Sequence, residues 1–200
     1  PDTFVVGDMP FGAYNGSIDK AVENATRIFA EGGCDCVKME GGMNTVPYIE
    51  AVVKAGIPVM GHIGLTPQTS AMMGGFKVQG KSHEAAQHLV DTAKAVEAAG
   101  AFLINLEGIP VGVAKKITEE LTIPTMGIGA GKYCDSQDLV WPDIMGINDW
   151  IPKFAKKYCD LRTYIVNGLN QFADDVNSGA FPTEEYSYNT VVEGFEVDKD

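Results

Sequence analysis

Short unbroken apolar runs alternate along the chain with longer stretches in which apolar residues recur at helical spacing, a pattern that predicts strand and helix in turn. Strands are expected at Thr3 to Gly7, Cys36 to Glu40, Pro58 to Met60, Phe102 to Glu107 and Pro124 to Ile128, with a short buried piece at Gln137 to Val140. Helices are expected between them. Ser17 caps one that runs to about Gly32, with Ala21, Ala25, Ile28 and Phe29 on its buried stripe. A second covers Val46 to Ala55 and stops at Gly56. A third opens at Ser82 and Glu84, buries Ala86, Leu89, Val90, Ala93 and Val96, and stops at Gly100. Val111 to Leu121 and, interrupted near Cys159 and Asp160, Lys153 to Ser178 complete the set.

Strands that alternate with helices and are apolar on both faces imply a parallel sheet, whose working residues lie at the strands' C-terminal ends. The apolar runs do end in chemistry. The first strand gives way to Gly7-Asp8, the second to Lys38-Met39-Glu40, the third to Gly61-His62 and the fourth to Asn105-Leu106-Glu107. Between Gln68 and Ser82 lies a glycine-rich segment too irregular for an element, the kind of long loop that serves as a lid. The pattern yields about six strand-helix units, where a closed barrel of this type needs about eight. The first strand follows Pro1 almost at once, so the chain is expected to start inside a domain.

Composition narrows the function classes. Of 200 residues, 45% are hydrophobic and 21% charged, an ordinary globular balance, and no apolar run is long enough for a membrane span. The net charge of −12 argues against a nucleic-acid partner, because phosphate binding needs clustered Lys and Arg. Part of that excess sits in an acidic tail, so the expected division is a barrel domain over 1–183 and a tail over 184–200. Cys34, Cys36, Cys134 and Cys159 form no C-x-x-C pair and read as structural thiols in a reducing compartment.

Six phrases in order carry a resemblance. They are Gly7-Asp8-Met9-Pro10-Phe11, Val37-Lys38-Met39-Glu40-Gly41-Gly42, Gly61-His62-Ile63-Gly64-Leu65-Thr66-Pro67-Gln68, Lys77-Val78-Gln79-Gly80, Gly127-Ile128-Gly129-Ala130-Gly131 and Ile151-Pro152-Lys153-Phe154. From the first strand to about Tyr188 the chain resembles the ketopantoate hydroxymethyltransferases. The resemblance implies a (β/α)8 TIM barrel of the phosphoenolpyruvate/pyruvate type, here lacking about the first two βα units, in a cytoplasmic homo-oligomer. It implies transfer of a one-carbon unit from 5,10-methylenetetrahydrofolate to 3-methyl-2-oxobutanoate, on the route to pantothenate, with Mg2+ or a similar divalent cation holding the keto acid. The family's preceding units carry a Gly-Asp-Ser phrase with a metal-binding aspartate that this chain does not show. Asp135-Ser136-Gln137 stands where the family usually has Asp-Gly-Gln, and Tyr186 where a histidine is common.

Carried over position by position, the resemblance makes Glu107 the proton acceptor, Asp8 and Lys38 substrate-binding residues, and Asp8 and Glu40 the metal ligands, with His62 lining the same pocket. The chemistry suits the residue types. Carboxylate oxygens match a hard cation, and an ammonium can stabilise the oxyanion that grows as an α-keto acid enolises. Taken singly, each residue has a plainer reading: Asp8 as a turn residue, Lys38 and Glu40 as an ion pair, His62 as a core histidine, Glu107 as a turn cap. A related keto-acid lyase and a truncated, non-catalytic assembly partner remain the alternative functions.

Overall fold

The computed structural model describes residues 3–195. The backbone divides into two compact units, Pro1–Leu139 and Val140–Asp200. The first holds six strands, β1 (Val6–Asp8), β2 (Cys36–Glu40), β3 (Val59–Gly64), β4 (Leu103–Glu107), β5 (Thr125–Ile128) and β6 (Ser136–Gln137). All pair in parallel and in chain order, the wall topology of a (β/α) barrel. Helices α1 (Ile18–Ala30), α2 (Val46–Lys54), α3 (His83–Ala98) and α4 (Val111–Glu120) fill the crossovers. Ser17 and Ser82 cap α1 and α3 by accepting from Lys20 N–H and Ala85 N–H.

The pleat sorts the strand side chains between two faces. Val37, Met39, Val59, Ile63, Ile104 and Leu106 join the core formed with the helices. Gly7, Gly61 and Gly127 face the same way, since a Cβ on them would lie 2.5 Å from Ile28, 2.5 Å from Val96 and 2.9 Å from the Cys134 sulfur. Asp8, Lys38, Glu40, His62, Asn105 and Glu107 therefore share the opposite face.

Several boundaries differ from the expected ones. β1 begins at Val6, not Thr3, because Val5 N–H is taken by the Asp35 carboxylate at 2.7 Å before strand pairing starts. β3 continues past Met60 to Gly64, since its glycines pack where larger residues would collide and every one of its residues is buried. The piece near Gln137 pairs over two residues only, and Val140 is half exposed. Pro67–Met73 winds into a 3-10 helix within the expected loop, with Met72 exposed.

The second unit contains α5 (Trp141–Ile144) and α6 (Leu161–Ser178). α6 starts at Leu161, after its Asp160 cap and not at Lys153, because the Asp160 side chain accepts from both Thr163 N–H and Thr163 Oγ1. Within this unit Tyr158, Leu161 and Arg162 N–H groups bond to the carbonyls of Ile144, Met145 and Gly146. Glu184–Tyr186 forms a 3-10 turn in the expected acidic tail, whose last residues, 196–200, lie outside the described residues, as do the first two of the chain. No helix among the described residues is long and apolar enough to cross a membrane.

Candidate active site

Strand register builds the site. Asp8 lies opposite Lys38 across β1 and β2, Glu40 opposite His62 across β2 and β3, and Gly64 opposite Glu107 across β3 and β4. Four adjacent strands thus deliver polar groups to one end of one face. Lys38 Nζ lies 2.9 Å from Asp8 Oδ1 and 3.3 Å from His62 Nδ1. His62 Nδ1 is 3.5 Å from Glu40 Oε2, and its Nε2 is 3.0 Å from Glu107 Oε2. The chain of contacts therefore runs from Asp8 through Lys38 and His62 to Glu107, with Glu40 alongside.

This geometry answers the plainer single-residue readings. The ammonium of Lys38 pairs with Asp8, on the neighbouring strand, and not with Glu40 two residues on. His62 is buried, yet it is no simply satisfied core histidine. Its Nε2 approaches Glu107 closely but is not aligned as a hydrogen bond, leaving it without a partner. Asn105, opposite His62 in the β3–β4 register, has a buried Oδ1 that is likewise unpartnered. Native structures leave few such atoms unpaired, so each calls for a partner such as an ordered water or a ligand.

Glu40 is held from outside the strands. Gln68 N–H donates to its Oε1 at 2.6 Å, while the Gln68 amide donates to the Met9 carbonyl at 2.9 Å. The Tyr14 hydroxyl accepts from Glu40 N–H at 3.1 Å and shares its proton between the Glu40 carbonyl and Gln68 Oε1. Burial pushes the Glu40 carboxyl above its ordinary range, against the lowering pull of His62, Gln68 N–H and Lys38. Desolvation raises the Tyr14 phenol as well, so it acts as a neutral clamp. Tyr14 and Gln68 were not legible as site residues, and Asn105 was legible only as part of a polar strand end. Tyr14 and Gln68 act through contacts spanning 26 to 59 residues of chain, which no local pattern records.

Asp8 and Glu40 carry carboxylate oxygens, the hard donors that suit magnesium. Among the described residues no three His, Cys, Asp or Glu side chains are grouped to hold a metal ion. Two carboxylates suit only a cation that fills the rest of its coordination with waters or substrate oxygens. A cavity of about 190 Å³ lies on the helix side of β3, lined by Gly41, Ile63, Gly64, Thr66, Leu89 and Thr92 among others. The four cysteines are free thiols, and burial followed by the Asp35 charge pushes Cys36 up to about 11, which leaves it unreactive.

Comparison with known proteins adds a family. A model of the ketopantoate hydroxymethyltransferases matches residues 1–184. The chain is 53% identical over 189 residues to the 3-methyl-2-oxobutanoate hydroxymethyltransferase of Heliobacterium modesticaldum, covering 94% of this chain and 68% of that protein. Its match to the protein of the same name from Clostridium beijerinckii is 51% over 188 residues, with the same coverage of each. Among solved structures, a candidate phosphonomutase from Burkholderia cenocepacia J2315 aligns with a TM-score of 0.52 and 12% identity, over 90% of this chain and 72% of that one, a likeness of fold alone.

Proposed function

The chain belongs to the ketopantoate hydroxymethyltransferase family, and on that premise we propose how its strand-end cluster transfers a hydroxymethyl group from 5,10-methylenetetrahydrofolate to 3-methyl-2-oxobutanoate. The product is ketopantoate, a precursor of pantothenate. The observation that carries the reading is the contact chain in which His62 lies between Lys38 and Glu107, joining a cation to a candidate base on one sheet face.

The hard step is removal of the C3 proton from the keto acid. Glu107 is the group we assign to it, with Oε2 at the buried end of the contact chain. As that proton leaves, negative charge grows on the ketone oxygen, and the Lys38 ammonium, mostly shielded from solvent, is placed to stabilise it. Asp8 keeps Lys38 oriented and borders the substrate. Asp8 and Glu40 would hold Mg2+, which when bound chelates the keto acid and makes its C3 proton more acidic. The enolate carbon then bonds to the folate's methylene carbon as one carbon–nitrogen bond breaks, with the proton taken by Glu107 passing to that nitrogen; water supplies the hydroxyl as the second carbon–nitrogen bond breaks, and tetrahydrofolate leaves.

Free thiols support a cytoplasmic setting, and α6, which buries none of its residues within its own unit, supports a homo-oligomer. A non-catalytic assembly partner and a lyase acting on another keto acid are the less favoured readings. Incubation with 3-methyl-2-oxobutanoate, methylenetetrahydrofolate and Mg2+ separates them. Ketopantoate forming only when the folate is present supports the transferase; keto-acid cleavage without folate, or no turnover of either substrate, refutes it.

A further inference from the structure

We infer that His62 is a positioning residue, locked in the tautomer that carries its proton on Nε2, and that it orients Lys38 through one ring nitrogen and Glu107 through the other. The inference rests on the proposed role of Glu107 as base.

The tautomer follows from the inventory of donors. A lysine ammonium has three N–H donors and no acceptor, so the 3.3 Å contact between Lys38 Nζ and His62 Nδ1 is a hydrogen bond only if Nδ1 offers a lone pair. A proton on Nδ1 would face the ammonium donor to donor. It could reach Glu40 Oε2, but at 3.5 Å that contact is the longer one, and Glu40 already accepts from Gln68 N–H at 2.6 Å. Asp8 draws Lys38 from the far side at 2.9 Å. The neutral imidazole therefore carries its single proton on Nε2.

That proton is the more informative half. Nε2 is buried, lies 3.0 Å from Glu107 Oε2, and is not aligned with it. A small rotation of the carboxylate would complete the bond, and hydrogen bonds in unliganded sites often tighten only when substrate is seated. Holding Oε2 on Nε2–H leaves Oε1 as the oxygen directed at substrate. One side chain thus fixes both the ammonium that meets the oxyanion and the carboxylate that takes the proton.

The two halves can be separated, because an asparagine amide occupies roughly the place of Nδ1 and a glutamine amide roughly that of Nε2. His62→Asn retains an acceptor for Lys38 and loses the donor to Glu107. His62→Gln retains the donor and loses the acceptor. A hydrogen bond to a charged group corresponds to about 10- to 100-fold in a rate or binding constant. With the full chain, Mg2+ and 3-methyl-2-oxobutanoate in D2O, H62N is expected to slow C3 proton exchange by about that factor with KM near the wild-type value. H62Q is expected to keep the exchange rate within several-fold and raise KM by about 10-fold.

Nitrogen-15 NMR of histidine-labelled wild-type protein reads the tautomer without any substitution, with the His62 signals assigned by their loss in H62Q. An Nε2–H imidazole together with the crossed kinetic pattern is the expected result. An Nδ1–H tautomer, an imidazolium, or variants that leave both constants unchanged or change them alike would overturn the inference. Glu107→Gln serves as the control that keeps the two ideas apart: exchange surviving in that variant removes Glu107 as base, while the tautomer stands or falls on the spectrum.

Discussion

Gly64 is the point where the sheet and the base meet, and Gly64→Ala tests whether that junction is as tight as the geometry requires. The residue ends β3 with φ at +95°, and a Cβ built on it lies 2.3 Å from the Glu107 carbonyl oxygen and 2.7 Å from Ile109 Cγ2. The isoleucine can turn aside. The carbonyl cannot, because Leu65 N–H holds it at 2.7 Å. A non-glycine residue in the left-handed region costs about 1–3 kcal/mol, and forcing extra volume into a packed site costs about 1–3 kcal/mol more. The expected loss is therefore about 4 kcal/mol, read as a lower urea midpoint at constant slope. Because the displaced backbone is that of Glu107, turnover should fall in whatever fraction remains folded. Gly112→Ala, within α4 and with nothing inside 4 Å of the added carbon, is the paired control. It should gain about 0.5–1 kcal/mol, the usual helix preference for alanine. A Gly64→Ala protein within about 1 kcal/mol of wild type would refute the close approach of β3 to β4.

Tyr14→Phe removes the hydroxyl that accepts from Glu40 N–H in a buried setting, and should cost about 1–3 kcal/mol by urea denaturation; an unchanged midpoint would contradict the clamp. Lys38→Met should reduce turnover by about 100- to 1,000-fold through loss of oxyanion stabilisation. Its stability should fall by about 1–3 kcal/mol, because the buried His62 Nδ1 loses its donor, while the half-exposed Asp8 pair contributes little. Glu40→Gln tests the buried charge. Since burial raises the folded pKa above the ordinary 4.5, the folded chain binds that proton more tightly than the unfolded chain, and stability declines as pH rises through the window between the two values. The variant cannot ionise, so in chelator-treated buffer it should be more stable than wild type above that window. The difference should vanish as pH falls below the ordinary carboxylate value, and a gap that widens in acid would reverse the sign assigned to Glu40.

Periodicity made most of the fold legible, because α1 and α3 display their buried stripes and serine caps in the sequence itself. It failed where tertiary contact overrode the local pattern. Gly61 and Gly64 interrupt the apolar run of β3, yet the strand needs both, since Val96 and the Glu107 carbonyl occupy the space of their side chains. Lys153 looked like a helix start, but the cap that satisfies the first turn of α6 is Asp160. The site divided along the same line. Asp8, Lys38, Glu40 and Glu107 follow apolar runs and so could be located at strand ends, and the structure brings them to one face. Tyr14 and Gln68 gave no such sign, since their roles exist only through neighbours distant in sequence; Asn105 stands at the same strand end as Glu107, and only the register shows it unpartnered opposite His62.

The central claim is that this face enolises a keto acid with Glu107 as the base, and proton exchange measures that step without the folate. In D2O with Mg2+ and 3-methyl-2-oxobutanoate, wild-type protein should incorporate deuterium at C3. Glu107→Gln, with an unchanged circular dichroism spectrum, should do so about 100- to 10,000-fold more slowly. Equal exchange by the two proteins, or none by the wild type, would contradict the account.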